Sequence, residues 1–408
     1  MNRRRFLMQT AGFGSGLWGL GARASGLAPG RGSTAESGVS MPIRDVSVQL
    51  VQSDCGRKWT HVRVHTAEGL TGIGEATYSR KETVVARMVE ELKPYILGRD
   101  ALDIESIYRD LYSGGGTGYR TGGVIFTSAI SGIDQALWDL KGKALGAPVC
   151  TLLGGPRSAR IPVYSHFGGG DEDTLAANAQ RVLDEGFKAL KSGITIQEAR
   201  GPGISRQELR NIDRRYAALR RTLGEDVLLM DDPHAAFAPG AALEVARLLE
   251  PYRLLFLEEP TIPEDPAGYA QVRQGTLTPI AGSERLTSKH RFNDFFRAGA
   301  VDVAQPDPVY VGGITEMKKV CALAETHQVS IAPHNTKGPV GTMAAAHVLA
   351  AIPNPLILEW IAPSQIPWRN GVLKDPMVLQ DGALLVPDRP GLGVEFDEDA
   401  LRPHLVSY

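Results

Sequence analysis

The chain has 408 residues, 43% of them hydrophobic and 22% charged, with a formal net charge of −2 at pH 7. That length suits two or three domains, or one large barrel with an attachment, and it buries enough apolar surface to need no disulfide staples. The near-zero charge argues against nucleic acid or an anionic membrane as partner, and three scattered cysteines, Cys55, Cys150 and Cys321, read as buried free thiols rather than a disulfide framework or metal site.

The first residues differ from the rest. Arg3, Arg4 and Arg5 precede Phe6-Leu7-Met8, a Gly-rich apolar stretch runs to Leu20, and Ala22-Arg23-Ala24 follows. A basic start, an apolar middle and a small-x-small end make a cleavable export signal over residues 1–24. Adjacent arginines before Phe-Leu give it twin-arginine character and imply a periplasmic destination. A disordered tail with chance arginines is the competing reading. The stretch is too short and Gly-rich to span a bilayer, so no stable membrane insertion is expected. Residues 25–40 are rich in Gly, Ser, Ala and Pro and read as a linker.

From residue 41 the pattern becomes regular. Val46–Val51 and His61–His65 alternate with period two and read as half-buried strands, with turns and a short strand around Gly69 and Gly72–Gly74. Helical patterns cover Glu82–Leu97 and Phe126–Leu145, so residues 41–155 form a small α+β domain. After Gly154-Gly155-Pro156 short apolar runs alternate with helix-like segments: Ile161–Tyr164, Ala189–Lys191, Val227–Met230, Leu254–Leu257, Pro279–Ala281, Val301–Ala304, Val329–Ala332 and Leu356–Leu358. Eight such units predict a closed parallel (β/α) barrel over residues 156–360. Residues 361–408 lack the period and read as loops and short strands returning to the first domain.

Active sites of such barrels lie at the C-terminal strand ends. The third run ends in Asp231-Asp232-Pro233-His234, the fourth in Glu258-Glu259-Pro260, the fifth in Glu284-Arg285, the sixth in Gln305-Pro306-Asp307, the seventh in Pro333-His334-Asn335 and the eighth in Glu359-Trp360. Asp232, Glu258 and Glu284 follow one another at intervals of 26 residues, one βα unit each. Three carboxylates at successive strand ends call for a hard divalent cation, Mg²⁺ by default; singly, each also suits a helix cap or an Arg partner. An extended backbone puts Asp232 and His234 on one side and Asp231 on the other, which selects Asp232 as ligand. Asp307 and His334 end neighbouring strands, where a carboxylate fixes the imidazole tautomer and raises its basicity; a purely structural His–Asp hydrogen bond is the alternative.

These residues, with Thr121 to Val124, Ser128 to Lys143, Gly186 to Lys191, Gly312-Gly313 and Pro390 to Gly393, give the chain a pattern that resembles the enolase superfamily. It is most similar to the mandelate racemase branch with its acid-sugar dehydratases, D-galactonate dehydratase above all. The resemblance covers nearly everything from residue 41. It implies an α/β fold, a modified TIM (β/α) barrel with an N-terminal α+β capping domain. It implies Asp232, Glu258 and Glu284 as Mg²⁺ ligands, His334 with Asp307 as the base, His234 as the acid on the leaving hydroxyl, and Glu359 as a contact to the substrate carboxylate. One position departs: the branch's second lysine on the second strand is here Gly193, which argues against a two-base racemase, while Lys191 remains to hold a substrate oxygen or make a structural ion pair.

The expected reaction is metal-assisted removal of the α-proton of a sugar acid and loss of its β-hydroxyl, giving a 2-keto-3-deoxy acid. The expected partner is a small-molecule carboxylate, and a symmetric homo-oligomer is expected on general grounds. His166 at the first strand end, Tyr119 and Arg120 in the Gly-rich 114–120 loop, and the Tyr78-Ser79-Arg80 loop are candidates for contact with the distal substrate. Two alternatives stand beside this: a one-base epimerase or cycloisomerase on the same scaffold, and a noncatalytic exported binding protein for acidic sugars.

Overall fold

The computed structural model describes residues 40–54, 56–114 and 123–408. The proposed signal, nearly all of the linker, Cys55, Tyr119 and Arg120 lie outside these residues. Strands β1 (Ile43–Gln52), β2 (Lys58–Thr66) and β3 (Thr71–Glu75) form an antiparallel sheet. Helices α1 (Glu82–Leu92), α2 (Ile104–Ser113) and α3 (Gly123–Leu145) cover one face of it. The first predicted helix stops early, because Pro94 turns its last residues into a short 3₁₀ segment, Lys93–Tyr95. The sequence reading missed α2, whose buried Ile104, Ile107, Tyr108 and Leu111 mark its inner face.

Eight parallel strands then build the barrel: β4 (Arg160–His166), β5 (Ala189–Ser192), β6 (Leu228–Asp231), β7 (Phe256–Glu258), β8 (Ile280–Gly282), β9 (Val303–Ala304), β10 (Ser330–Ile331) and β11 (Leu358–Glu359). Each neighbours the next in order, β11 returns to pair with β4, and backbone bonds between Ile331 and residues 354–356 complete the ring. The observed strands are offset by one or two residues from the apolar runs, as expected where buried strand ends and loops share an apolar texture.

The tail does more than return to the first domain. Ala383–Leu385 first pairs antiparallel with the start of β4, and only then does Leu405–Val406 add to β1. The two domains also meet through α3 and the start of helix Gly313–Thr326. There Thr315 N donates to Asp134 Oδ2 at 3.0 Å and Gly312 N to Ser131 Oγ at 3.0 Å. Gly312 and Gly313 both have positive φ, and a Cβ on Gly313 would lie 2.3 Å from Asp134 Oδ2, so this approach needs glycine. Cys150 and Cys321 are buried free thiols. No helix among the described residues is long and apolar enough to cross a membrane.

Candidate active site

The barrel floor fixes the geometry above it. One residue from each strand, or directly flanking it at Ala332 and Ile357, forms an interior apolar layer: Tyr164, Ala189, Met230, Phe256, Ala281, Val303, Ala332 and Ile357. Side chains alternate along a strand, so the position two residues further on belongs to the next layer, at the mouth. Those positions are His166, Lys191, Asp232, Glu258, Ser283, Gln305, His334 and Glu359, and all are polar. The fifth strand breaks the alternation: Ser283 has φ +83°, and this turn presents Glu284 instead, with Oε2 3.6 Å from His334 Nε2.

Lys191 organises the carboxylates. Its Nζ donates to both oxygens of Glu258 at 2.8 Å and lies 2.8 Å from Glu359 Oε1 and 3.6 Å from Asp232 Oδ2. Burial pushes the Glu258 carboxyl above its ordinary range, with Asp232 and Glu359 adding to it against Lys191. Burial, then Glu259, Glu258 and Asp232, holds Glu284 well above it. Burial would also raise Glu359, but Lys191 first, then His166 and His334, holds it well below. Its Oε1 contacts His166 Nε2, and its Oε2 accepts from Asn335 N at 2.6 Å.

The expected ligands Asp232, Glu258 and Glu284 are buried together, and their oxygens are the hard donors that suit Mg²⁺. Buried carboxylates gathered this closely are a set that a divalent cation relieves. They do not form the tight cage that the spacing suggested: among the described residues no three His, Cys, Asp or Glu side chains are drawn together as a metal-holding group. The Lys191 ammonium stands among Asp232, Glu258 and Glu359 and satisfies them in its own way. Asp231 points elsewhere, accepting from Thr195 N at 3.2 Å, and burial pushes it up to about 7.

On the seventh strand side, His334 Nδ1 lies 2.8 Å from Asp307 Oδ2, and Val309 N donates to Asp307 Oδ1 at 2.7 Å. An Nδ1–H donated to Asp307 leaves His334 Nε2 as a free base facing the mouth. His234 needs a correction. The backbone is not extended there: His234 has φ +51° and Ala235 φ +59°, a left-handed turn held by Ala235 N donating to Glu259 O at 2.7 Å. The imidazole still reaches Asp232, with Nδ1 3.2 Å from Oδ2, and its side chain is 56% exposed. Two successive non-glycine residues at positive φ store strain of the kind found at functional sites.

Several residues were given no role from the sequence alone. Lys337 is buried with Nζ 3.3 Å from Asp307 Oδ2. Tyr310 stacks on His334 at 6.1 Å and meets Tyr78 of the capping-domain loop edge-on at 5.2 Å. Gln305 is buried with neither amide atom hydrogen-bonded to a described residue. Only Gln305 carried a signal, its place two residues before Asp307; Lys337 and Tyr310 sit in loops whose course the spacing does not fix.

Residues 36–154 match the family model described as mandelate racemase / muconate lactonizing enzyme, N-terminal domain, and residues 174–400 that described as enolase C-terminal domain-like. The chain is 35% identical over 377 residues to D-xylonate dehydratase of Haloferax volcanii, covering 89% of this chain and 90% of that protein. It is 35% identical over 361 residues to D-galactonate dehydratase of Xanthomonas oryzae pv. oryzae, covering 85% and 90%. Among solved structures, a member of the enolase superfamily from Salmonella Typhimurium matches with a TM-score of 0.83 at 31% identity over 89% of this chain and 98% of that one. The 3,6-anhydro-D-galactonate cycloisomerase of Zobellia galactanivorans matches with a TM-score of 0.80 at 32% identity over 90% and 100%.

Proposed function

This chain belongs to the enolase superfamily, in its mandelate racemase / muconate lactonizing enzyme group, and from that premise we propose that it is an acid-sugar dehydratase forming a 2-keto-3-deoxy acid. The observation that carries the reading is a pair of histidine–carboxylate contacts across the mouth. His334 meets Asp307 beyond the seventh strand, and His234 meets Asp232 beyond the third, diametrically opposite in an eight-strand ring.

Asp232, Glu258 and Glu284 would hold a Mg²⁺ ion, whose charge offsets that developing on the substrate carboxylate as the α-proton leaves. His334 takes that proton at Nε2 while Asp307 holds the ring by Nδ1. His234 gives a proton to the departing β-hydroxyl. Lys191 and Glu359 orient the substrate carboxylate, and Tyr78, above Tyr310, faces its distal end. D-Xylonate and D-galactonate are the first acids to test, from the two dehydratase relatives. Residues 1–24 would export the enzyme to the periplasm, and it would work as a symmetric homo-oligomer.

The experiment is a pair of variants. His334→Asn loses turnover and α-proton exchange with solvent; His234→Asn loses dehydration but keeps exchange. Full activity in both overturns these roles. A one-base cycloisomerase is the second reading, favoured by the likeness to the Zobellia enzyme and by Gly193 in place of a second-strand base. Release of an isomerised acid with no loss of water distinguishes it.

A further inference from the structure

We propose that His166, paired with Glu359, is a second proton-transfer group of the mouth and delivers the proton that converts the enol product into its keto form. The inference rests on the dehydratase reading. His166 ends β4, two residues beyond Tyr164 of the interior layer, and stacks on that ring with an interplanar angle of 21°. Gln365 Nε2 donates to His166 O at 2.7 Å, and Phe167 N to Lys191 O at 3.1 Å, which pins the backbone on both sides of the imidazole. Nε2 contacts Glu359, while Nδ1 makes no hydrogen bond to a described residue. The side chain is 33% exposed, whereas Glu359 is fully buried. This resembles His334 and Asp307 with the ring nitrogens exchanged: one nitrogen is held by a buried carboxylate, and the other has no hydrogen bond to a described residue.

The chemistry has a place for such a group. After elimination C3 of the enol needs a proton. His234 has just given its own to the hydroxyl, and His334 holds one against C2. A third donor frees this step from waiting on the reprotonation of His234, and the part-exposed His166, in exchange with solvent, supplies it. The C2=C3 π pair takes the His166 proton to form the new C3–H bond. The enol O–H pair becomes the C2=O bond, and that hydroxyl proton leaves to water. His166 then regains a proton from solvent.

The test runs D-xylonate and D-galactonate with Mg²⁺ in D₂O and reads the configuration of deuterium at C3 by NMR at early times. The wild-type product is expected to be a single diastereomer. His166→Asn and His166→Gln, both checked by thermal unfolding, are expected to give nearly equal amounts of the two, because the enol ketonises without direction in solution. A single diastereomer from either folded variant overturns the proposal. So does a mixture from the wild type, or loss of α-proton exchange in the folded variants, which would place His166 before the elimination. Absence of any keto acid from the wild type overturns the dehydratase reading instead.

Discussion

Lys337 Nζ lies 3.3 Å from Asp307 Oδ2, the oxygen that His334 Nδ1 also reaches at 2.8 Å. Both partners of this ion pair are buried, and the ammonium also sits 4.3 Å from the centroid of the Tyr310 ring. Burial alone would raise the Asp307 carboxyl, yet Lys337 first, and then His334, keeps it below its ordinary range. Lys337→Met keeps much of the volume and leaves the buried carboxylate with imidazole alone. Breaking one side of a buried pair costs about 3–5 kcal/mol. A urea midpoint well below that of the wild type, with a fall in kcat larger than any rise in KM, is expected. An unchanged midpoint would mean that the ammonium does not hold Asp307 in place.

Glu75 of β3 ties the capping domain to the loop that carries His334 and Lys337. It accepts from Gly338 N at 2.8 Å, Gly341 N at 2.9 Å and Thr77 Oγ1 at 2.7 Å. Gly338 precedes helix Pro339–Ala350, so the carboxylate satisfies amide groups that the helix itself leaves unpaired. A glutamine keeps the shape but offers one acceptor oxygen to two amides. Glu75→Gln is expected to cost about 1–3 kcal/mol for the orphaned group, read by thermal unfolding, and to lower turnover with it. Thr77→Val should be milder. Equal stability of wild type and Glu75→Gln would show that the clamp is idle.

Asp134 gives a pH test of the contact between domains. Burial pushes its carboxyl up to about 7, against the hydrogen bonds from Thr315 and Ile314, and its Oδ1 has no partner among the described residues. The folded protein therefore keeps this proton where the unfolded chain, with an ordinary carboxyl near pH 4, has lost it. Its contribution is full at low pH and falls as pH rises through about 7. Three pH units of difference correspond to about 4 kcal/mol at most. Asp134→Asn should match the wild type near pH 4 and exceed it at pH 8. Parallel stability curves for the two proteins would contradict this.

Much of the site was legible because a strand repeats every two residues and a βα unit every 25 or so. Asp232, Glu258, His334 and Glu359 each lie two residues beyond an interior apolar residue, so strand ends alone place them. Glu284 lies three beyond Ala281, and its entry depends on the turn at Ser283, which the spacing of carboxylates captured without explaining. His234 was expected on an extended chain and sits on a left-handed turn, which is held by a bond from the next residue, Ala235, to Glu259 just beyond the neighbouring strand. Glu75, Tyr310 and Lys337 were invisible for one shared reason: their partners are far off in sequence or lie in loops, and no local period reports on them. The short helix α2 was lost because its charged face dilutes four buried residues.

The most direct test of the account is keto-acid formation from D-xylonate and D-galactonate by the purified chain, measured with added Mg²⁺, after chelation, and in His334→Asn. The account predicts a 2-keto-3-deoxy acid that appears with Mg²⁺, vanishes on chelation, returns when the ion is restored, and is absent in the variant. Keto-acid production that survives both chelation and the loss of His334 would contradict it.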